Sequence, residues 1–222
     1  MTTFVLIPGA CHGGWWYQPV VERLTALGHT AVAVTLSGLG QDDDLTRMAP
    51  VSLDKHVSEA SSAVVAHQDP DGAVLVGHSY GGTVITGVAD RLSWALRALV
   101  YLDAFVPEPG DSCYALTDDE QRNWYLADAD DHPGVAPLPF FDPRARPHPR
   151  GTLLQPISLI GAWEQVPAKH YVAATGWPAR SPFADTTERI RSTPGWTVHD
   201  WPTTHNVLAE GPDRLVELLL KV

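Results

Sequence analysis

A serine stands at the apex of Gly77-His78-Ser79-Tyr80-Gly81-Gly82. The apolar run Ala73-Val74-Leu75-Val76 leads in, and the helical pattern Thr83-Val84-Ile85-Thr86-Gly87-Val88-Ala89 leads out. Small residues on both sides of Ser79 permit a strand-to-helix turn too tight for side chains, which lifts the hydroxyl clear of the sheet. A serine so placed is a candidate nucleophile. The plainer reading is a Gly-rich turn whose serine merely caps the helix. A strand before it and a helix after it are the context that the catalytic reading requires.

A serine hydroxyl is a weak nucleophile. It needs a base, and the base needs a carboxylate to orient it. On such an elbow the order along the chain is serine, acid, histidine. His205 follows the last strand pattern and precedes the closing helix, which the other histidines do not. Asp103 ends the strand immediately after the serine's helix. The loop Gly176–Phe183, after the next strand, contains no carboxylate. Asp185 fits the cap of a short helix, and Glu164 lies before the strand, at the wrong end of a sheet. Asp103 is therefore the expected acid, with an anchor for the following segment as its alternative role. The amides of Tyr80 and Ala10 are the expected oxyanion donors, since Pro8 has no N–H and Gly9 allows close approach. Cys11 beside His12 is the weaker candidate nucleophile, because the elbow already offers a better one.

These residues need a scaffold that brings them to one rim. Phe4–Ile7, Thr30–Leu36, Ala73–Val76, Leu96–Leu102, Lys169–Thr175 and Trp196–Trp201 read as strands. Helical spacing covers Trp15–Leu27, which stops at Gly28, and a stretch from about Ser52 to Gln68. Shorter helices are expected at Ile157–Trp163 and Asp185–Ser192, and a closing helix from Pro212 to Lys221. Alternating strands and helices predict an α/β fold, a mostly parallel sheet of about six strands with helices on both faces. Its ligands would sit beyond the strands' carboxyl ends, where Pro8–Ala10, Ser79 and Asp103 meet.

The alternation breaks between residues 104 and 155, a stretch rich in Pro and acid that holds the aromatic pairs Trp124-Tyr125 and Phe140-Phe141. A structureless loop of that length is unusual in a compact domain. It reads as a cap inserted into a core made of residues 1–103 and 156–222, partly helical around Thr117–Ala127 and without strands. The aromatics argue against disorder. Asp128–Asp131 and the run Arg144–Arg150 with His148 are expected at the surface. Metal binding by His132 and His148 finds no support in ligand spacing.

The 222 residues suffice for one large domain, and 44% hydrophobic content fits a globular chain. A net charge of −11 argues against nucleic acid and anionic membrane as partners. Two cysteines form no disulfide framework, and no signal peptide or transmembrane stretch is legible. The expectation is a soluble, cytoplasmic protein, a possible homodimer.

The stretches FVLIPGACHGGWW (Phe4–Trp16), GHSYGG (Gly77–Gly82) and LVYLDAFVP (Leu99–Pro107), with the loop histidine, resemble the α/β-hydrolase superfamily. More narrowly the chain is similar to small esterases related to plant methylesterases and hydroxynitrile lyases, including actinobacterial relatives. That resemblance implies a Ser-His-Asp hydrolase with no cofactor and no metal, a cap over the site, and a small-molecule ester as partner. His12, Trp15, Phe105, Trp124 and Phe140 are the expected substrate-binding residues. Three departures stand out. Pro8-Gly9 replaces His-Gly in the first loop, and the N-terminal hairpin of larger relatives is missing. The lyase branch has a lysine after the histidine and a threonine in the first loop; here Asn206 and Gly9 stand there. Ester, thioester or lactone hydrolysis is favoured over a C–C lyase or a non-catalytic ligand-binding homologue.

Overall fold

Parallel pairing of apolar runs builds the sheet that carries the site. The computed structural model describes residues 1–44, 48–129, 131–177 and 179–222, without the side chains of 209 and 210. The six-stranded sheet has the order β2-β1-β3-β4-β7-β8. Its strands are β1 (Thr3–Ile7), β2 (Thr30–Ala33), β3 (Ala73–His78), β4 (Leu96–Leu102), β7 (Ala168–Ala174) and β8 (Trp196–Trp201), and every pairing is parallel. The central strands β1, β3 and β4 are buried on both faces along their apolar runs Phe4–Ile7, Ala73–Val76 and Ala98–Leu102, with Arg97 of β4 only partly buried.

Alternate residues of those strands feed two cores. Val5, Ile7, Leu75, Leu99 and Tyr101 face α2 (Leu53–Ala66) and α3 (Gly81–Leu92). Phe4, Leu6, Val74, Val76 and Val100 face α1 (Gln18–Ala26) and α9 (Pro212–Leu219). The Ser52 hydroxyl caps α2 by accepting from the Lys55 amide. Strand order reverses between β1 and β3, so the crevice at their carboxyl ends lies between the Pro8–Ala10 loop and Ser79.

Several boundaries depart from the sequence expectations. β2 stops at Ala33, because Thr35 turns away to accept the Gly14 amide. The helix expected from Trp15 begins as a 3-10 turn, Gly14–Tyr17, and becomes α1 only where Pro19 opens it. The helix expected over Ile157–Trp163 is not there. Ile157 instead exchanges backbone bonds with Gly110 and Asp111, and Asp90 accepts the Ile160 and Trp163 amides, leaving a 3-10 turn at Ala162–Gln165. Asp185 lies inside the first turn of α7 (Ala184–Arg191), not at its cap, and pairs with Arg180.

Residues 104–155 contain α4 (Cys113–Leu116), α5 (Asp119–Leu126), a two-stranded antiparallel ribbon of β5 (Gly134–Val135) and β6 (His148–Pro149), and α6 (Arg150–Leu154). The expectation of no strand here was wrong by that ribbon; two-residue strands carry no legible periodicity. The segment shares the first core through Cys113, Tyr125, Val135 and Leu153. The Gln155 amide side chain ties it to α2 at Leu53 and Asp54. Asp128, Ala129 and Asp131 are exposed as expected, and Asp130 lies outside the described residues. His148 and Arg150, expected at the surface, are buried. Arg150 donates to the carbonyls of Tyr125, Ala127, His132 and Gly134, which gives a buried guanidinium its partners and ties α5 to the ribbon.

Candidate active site

Ser79 follows the last residue of β3 and has φ +52°, in the left-handed region that a non-glycine residue seldom occupies. The turn is held on both sides: the Ser79 amide donates to Leu102 and its carbonyl accepts from Gly82 and Phe105. A Cβ on Gly81 would come within 2.4 Å of the Ile7 carbonyl oxygen, and one on Gly82 within 2.2 Å of that of Phe105. Such spacing requires glycine, because no side chain fits between α3 and the ends of β1 and β4. Cys11 and Asp103 share the left-handed backbone, with φ +67° and +42°. Three of the four left-handed non-glycine residues among the described ones thus lie just past β1, β3 and β4, Asp128 being the exception, and strain of this kind gathers at functional sites.

Asp103 is 1% exposed and receives three donors. Its Oδ1 accepts the Ala174 amide at 3.2 Å. Its Oδ2 accepts Trp177 Nε1–H at 3.0 Å and His205 Nδ1 at 2.7 Å. None of these partners belongs to residues 104–155, so the alternative role as a cap anchor is not what the carboxylate does. An acceptor-only carboxylate places the His205 proton on Nδ1 and leaves Nε2 as the proton acceptor. The imidazole lies against Phe183, stacked at 5.3 Å, and against Trp177, tilted at 5.1 Å. The His78 ring lies 4.6 Å from it, and His78 Nε2–H donates to the His205 carbonyl at 2.9 Å. The histidine loop is thereby tied to the residue preceding Ser79.

The first loop closes the other side. A Cβ on Gly9 would stand 3.1 Å from the Ser79 Cβ and 2.8 Å from His78 Nδ1. Among the described residues the Ala10 and Tyr80 amides donate to no backbone carbonyl, so both are left over from the turn's own pairing. His12 turns back to its neighbour, with Nδ1–H donating to the Ala10 carbonyl at 2.7 Å.

The expected substrate-binding residues divide. His12 sits against Trp15 and against Phe141, at 5.3 and 5.1 Å. Trp15 carries the Arg144 guanidinium over its ring at 4.1 Å. Trp124 donates to the Ala136 carbonyl and lies edge-on to Phe141 at 6.1 Å. Phe105 is buried behind Phe183, one ring removed from His205. Phe140 is 80% exposed, and it is Phe141 that turns inward to His12. Adjacent aromatics point to different sides, and sequence cannot say which one faces in. Trp177 and Phe183 were also missed. Their signal was present, as aromatic residues on a carboxylate-free loop at the right end of the sheet.

The model of the alpha/beta hydrolase family matches residues 4–220. The chain belongs to the alpha/beta hydrolase family. It is 36% identical over 241 aligned residues to a carbendazim hydrolyzing esterase of Nocardioides sp. (strain SG-4G), across 99% of this chain and 98% of that one. Methylesterase 2 of Arabidopsis thaliana is 30% identical over 105 residues, 47% of this chain and 40% of that one. An extracellular alpha/beta-hydrolase from a Paenibacillus species superposes with TM-score 0.82 at 22% identity, over 100% of this chain and 98% of that one, a likeness of fold. Among the described residues of this family member no helix is long and apolar enough to cross a membrane.

Around the elbow the hydrolase buries three neutral histidines. Burial lowers His56 from 6.5 to about 4 and holds His78 and His148 well below the ordinary histidine value. In the unfolded chain each would take up its proton near the ordinary value. Their contribution to stability is therefore present above pH ~6.5 and lost as pH falls, through about 4 for His56. Each removes up to about 1.4 kcal/mol per pH unit inside that window. Urea unfolding should give a markedly lower midpoint at pH 5 than at pH 7.5. Equal midpoints would show that these rings are not buried neutral.

Proposed function

We propose that the protein hydrolyses carboxylic esters through an acyl-enzyme on Ser79. His205 removes the Ser79 proton as the hydroxyl attacks the ester carbonyl and later delivers it to the leaving alcohol. Asp103 holds the His205 tautomer and stabilises the imidazolium. The amides of Ala10 and Tyr80 take the charge that develops on the carbonyl oxygen. Water then repeats the sequence on the acyl-enzyme. The observation that carries this reading is the 2.7 Å bond between His205 Nδ1 and a buried carboxylate, made beside a strained elbow serine. The esterase names of the relatives agree with it, one over nearly the full length of both chains. No cofactor and no metal are needed for these steps.

The lyase alternative loses further ground at residue 9, where any side chain would push into His78 and Ser79. Residues 104–155 act as the cap, and residues 1–103 and 156–222 as the core. His12 of the first loop with Phe141 and Trp124 of the cap forms an aromatic cluster that suits a flat apolar or aromatic ester of small to medium size.

Stopped-flow hydrolysis of p-nitrophenyl acetate tests the mechanism: a burst of nitrophenolate close to the enzyme concentration is expected when deacylation is slow. A complete lack of turnover on an ester and lactone panel would remove the proposal. Substrate choice has its own test. Phe141→Ala should shift the kcat/KM ratio of aryl to short alkyl esters by about tenfold or more, while Phe140→Ala leaves it alone. The reverse pattern would mean that the cap faces the site differently.

A further inference from the structure

The oxyanion loop is a turn closed by the His12 amide on the Gly9 carbonyl at 3.3 Å, and residues 104–155 supply the remaining partners of its left-handed residue. Cys11, which follows Ala10, has φ +67°, a conformation that disfavours any residue with a Cβ. Both of its backbone polar groups are taken by one segment of the cap. The Cys11 amide donates to His148 Nδ1 at 3.2 Å, and the Cys11 carbonyl accepts the Arg146 amide at 2.9 Å. The Cys11 thiol lies 3.8 Å from the carbonyl of Val135, the residue that pairs with His148 across the ribbon. His148 also packs edge-on to the Tyr80 ring at 4.6 Å. It therefore touches the residue after one expected donor and the side chain of the other.

The proton on His148 is placed by its partners. Nδ1 accepts from Cys11, so Nε2 carries the hydrogen and donates to Thr152 Oγ1 at 2.8 Å. The Thr152 hydroxyl passes its own hydrogen to the Pro149 carbonyl at 2.8 Å. Every member of this chain is used, and a closed buried network of that kind fixes geometry. The ring is fully buried and neutral, as an acceptor at Nδ1 requires.

We infer that His148 is a positioning residue of the cap that locks Cys11 in its left-handed conformation and so aims the Ala10 amide at the developing oxyanion. This rests on the reading of Ala10 as an oxyanion donor. It makes the cap part of the catalytic geometry as well as a cover over the substrate. An amide swung away from the oxyanion loses stabilisation felt in the transition state and leaves ground-state binding nearly alone, so the loss falls on kcat.

The test compares two polar substitutions. His148→Asn can put its carbonyl oxygen where Nδ1 lies and keep the Cys11 bond. His148→Gln places its amide near the Nε2 position, within reach of Thr152 and away from Cys11. On one ester, Gln should lower kcat by about 10²-fold, near the loss of one oxyanion donor, with KM changed less than about threefold. Asn should stay within about tenfold of the parent. Thr152→Val takes away the acceptor of the Nε2 proton, and with it a partner of the Tyr80 side chain, without touching the first loop. It should lower kcat about tenfold at constant KM, so the inference stays testable if the Gln variant fails to fold. Equal kcat for Asn and Gln, losses that appear in KM, or an unchanged kcat in Thr152→Val would overturn it. Phosphonate labelling of the parent enzyme separates the two levels. An adduct on Ser79 with any of those results defeats the His148 inference alone, whereas no adduct on Ser79 defeats the esterase reading beneath it.

Discussion

Ser79→Ala should lower kcat by several orders of magnitude and leave a residual rate about 10³–10⁴ above water. That residue is what an oxyanion hole and substrate binding supply without a nucleophile. KM should change little, because the hydroxyl contributes to the reaction more than to ground-state binding. The fold should survive: alanine meets the same left-handed backbone as serine, and the bonds to Leu102, Gly82 and Phe105 that hold the turn are made by the Ser79 backbone. Ser79→Gly sharpens the point. Glycine occupies φ +52° without strain, so this variant should be as inactive as alanine yet up to about 1 kcal/mol more stable. An elbow built for chemistry trades stability for geometry, and inactivity accompanied by higher stability is its signature. Near-parental turnover in either variant would place the nucleophile elsewhere.

Asp103→Asn is the second large effect, about 10⁴-fold in kcat. The three groups that converge on Asp103 are all donors, from Ala174, Trp177 and His205. A carboxylate can accept all of them, whereas an amide must turn its NH₂ towards one side. Facing His205, that NH₂ would donate to Nδ1 and move the imidazole proton to Nε2, where it blocks removal of the Ser79 proton. Facing Ala174, it would set two N–H groups against each other in a buried place. Asp185→Asn and Glu164→Gln should cost less than about tenfold. Asp185 is exposed and paired with Arg180, and Glu164 lies on the 3-10 turn before β7. A crippled Asp185→Asn beside an active Asp103→Asn would give the acid to the later loop.

The scaffold was legible because its signals are local. Short apolar runs such as Phe4–Ile7 and Ala98–Leu102 suit strands buried on both faces, and alternation with helices sets a parallel sheet. The positions of Ser79, Asp103 and His205 were legible for a related reason: each ends or follows a strand, so order along the chain already gives a place on the rim. The cap was opaque. Its strands are two residues long, and Arg150 is buried only because carbonyls from separate stretches of the cap meet it in space. His148 looked like surface among arginines and prolines, since nothing in its neighbours announces that Cys11, 137 residues earlier, needs an acceptor. Phe140 and Phe141 differ by one position, and only backbone direction decides between solvent and His12. The missing helix at Ile157–Trp163 fell to a tertiary competitor, the Asp90 carboxylate that takes two of its amides.

The most direct test is to inactivate the protein with an irreversible serine-reactive phosphonate and map the adduct by mass spectrometry while following ester turnover. The account predicts one adduct per chain, on Ser79, growing in step with the loss of activity and strongly slowed in Asp103→Asn. An adduct on Cys11 or any other residue, or full turnover by a chain already labelled at Ser79, would contradict it.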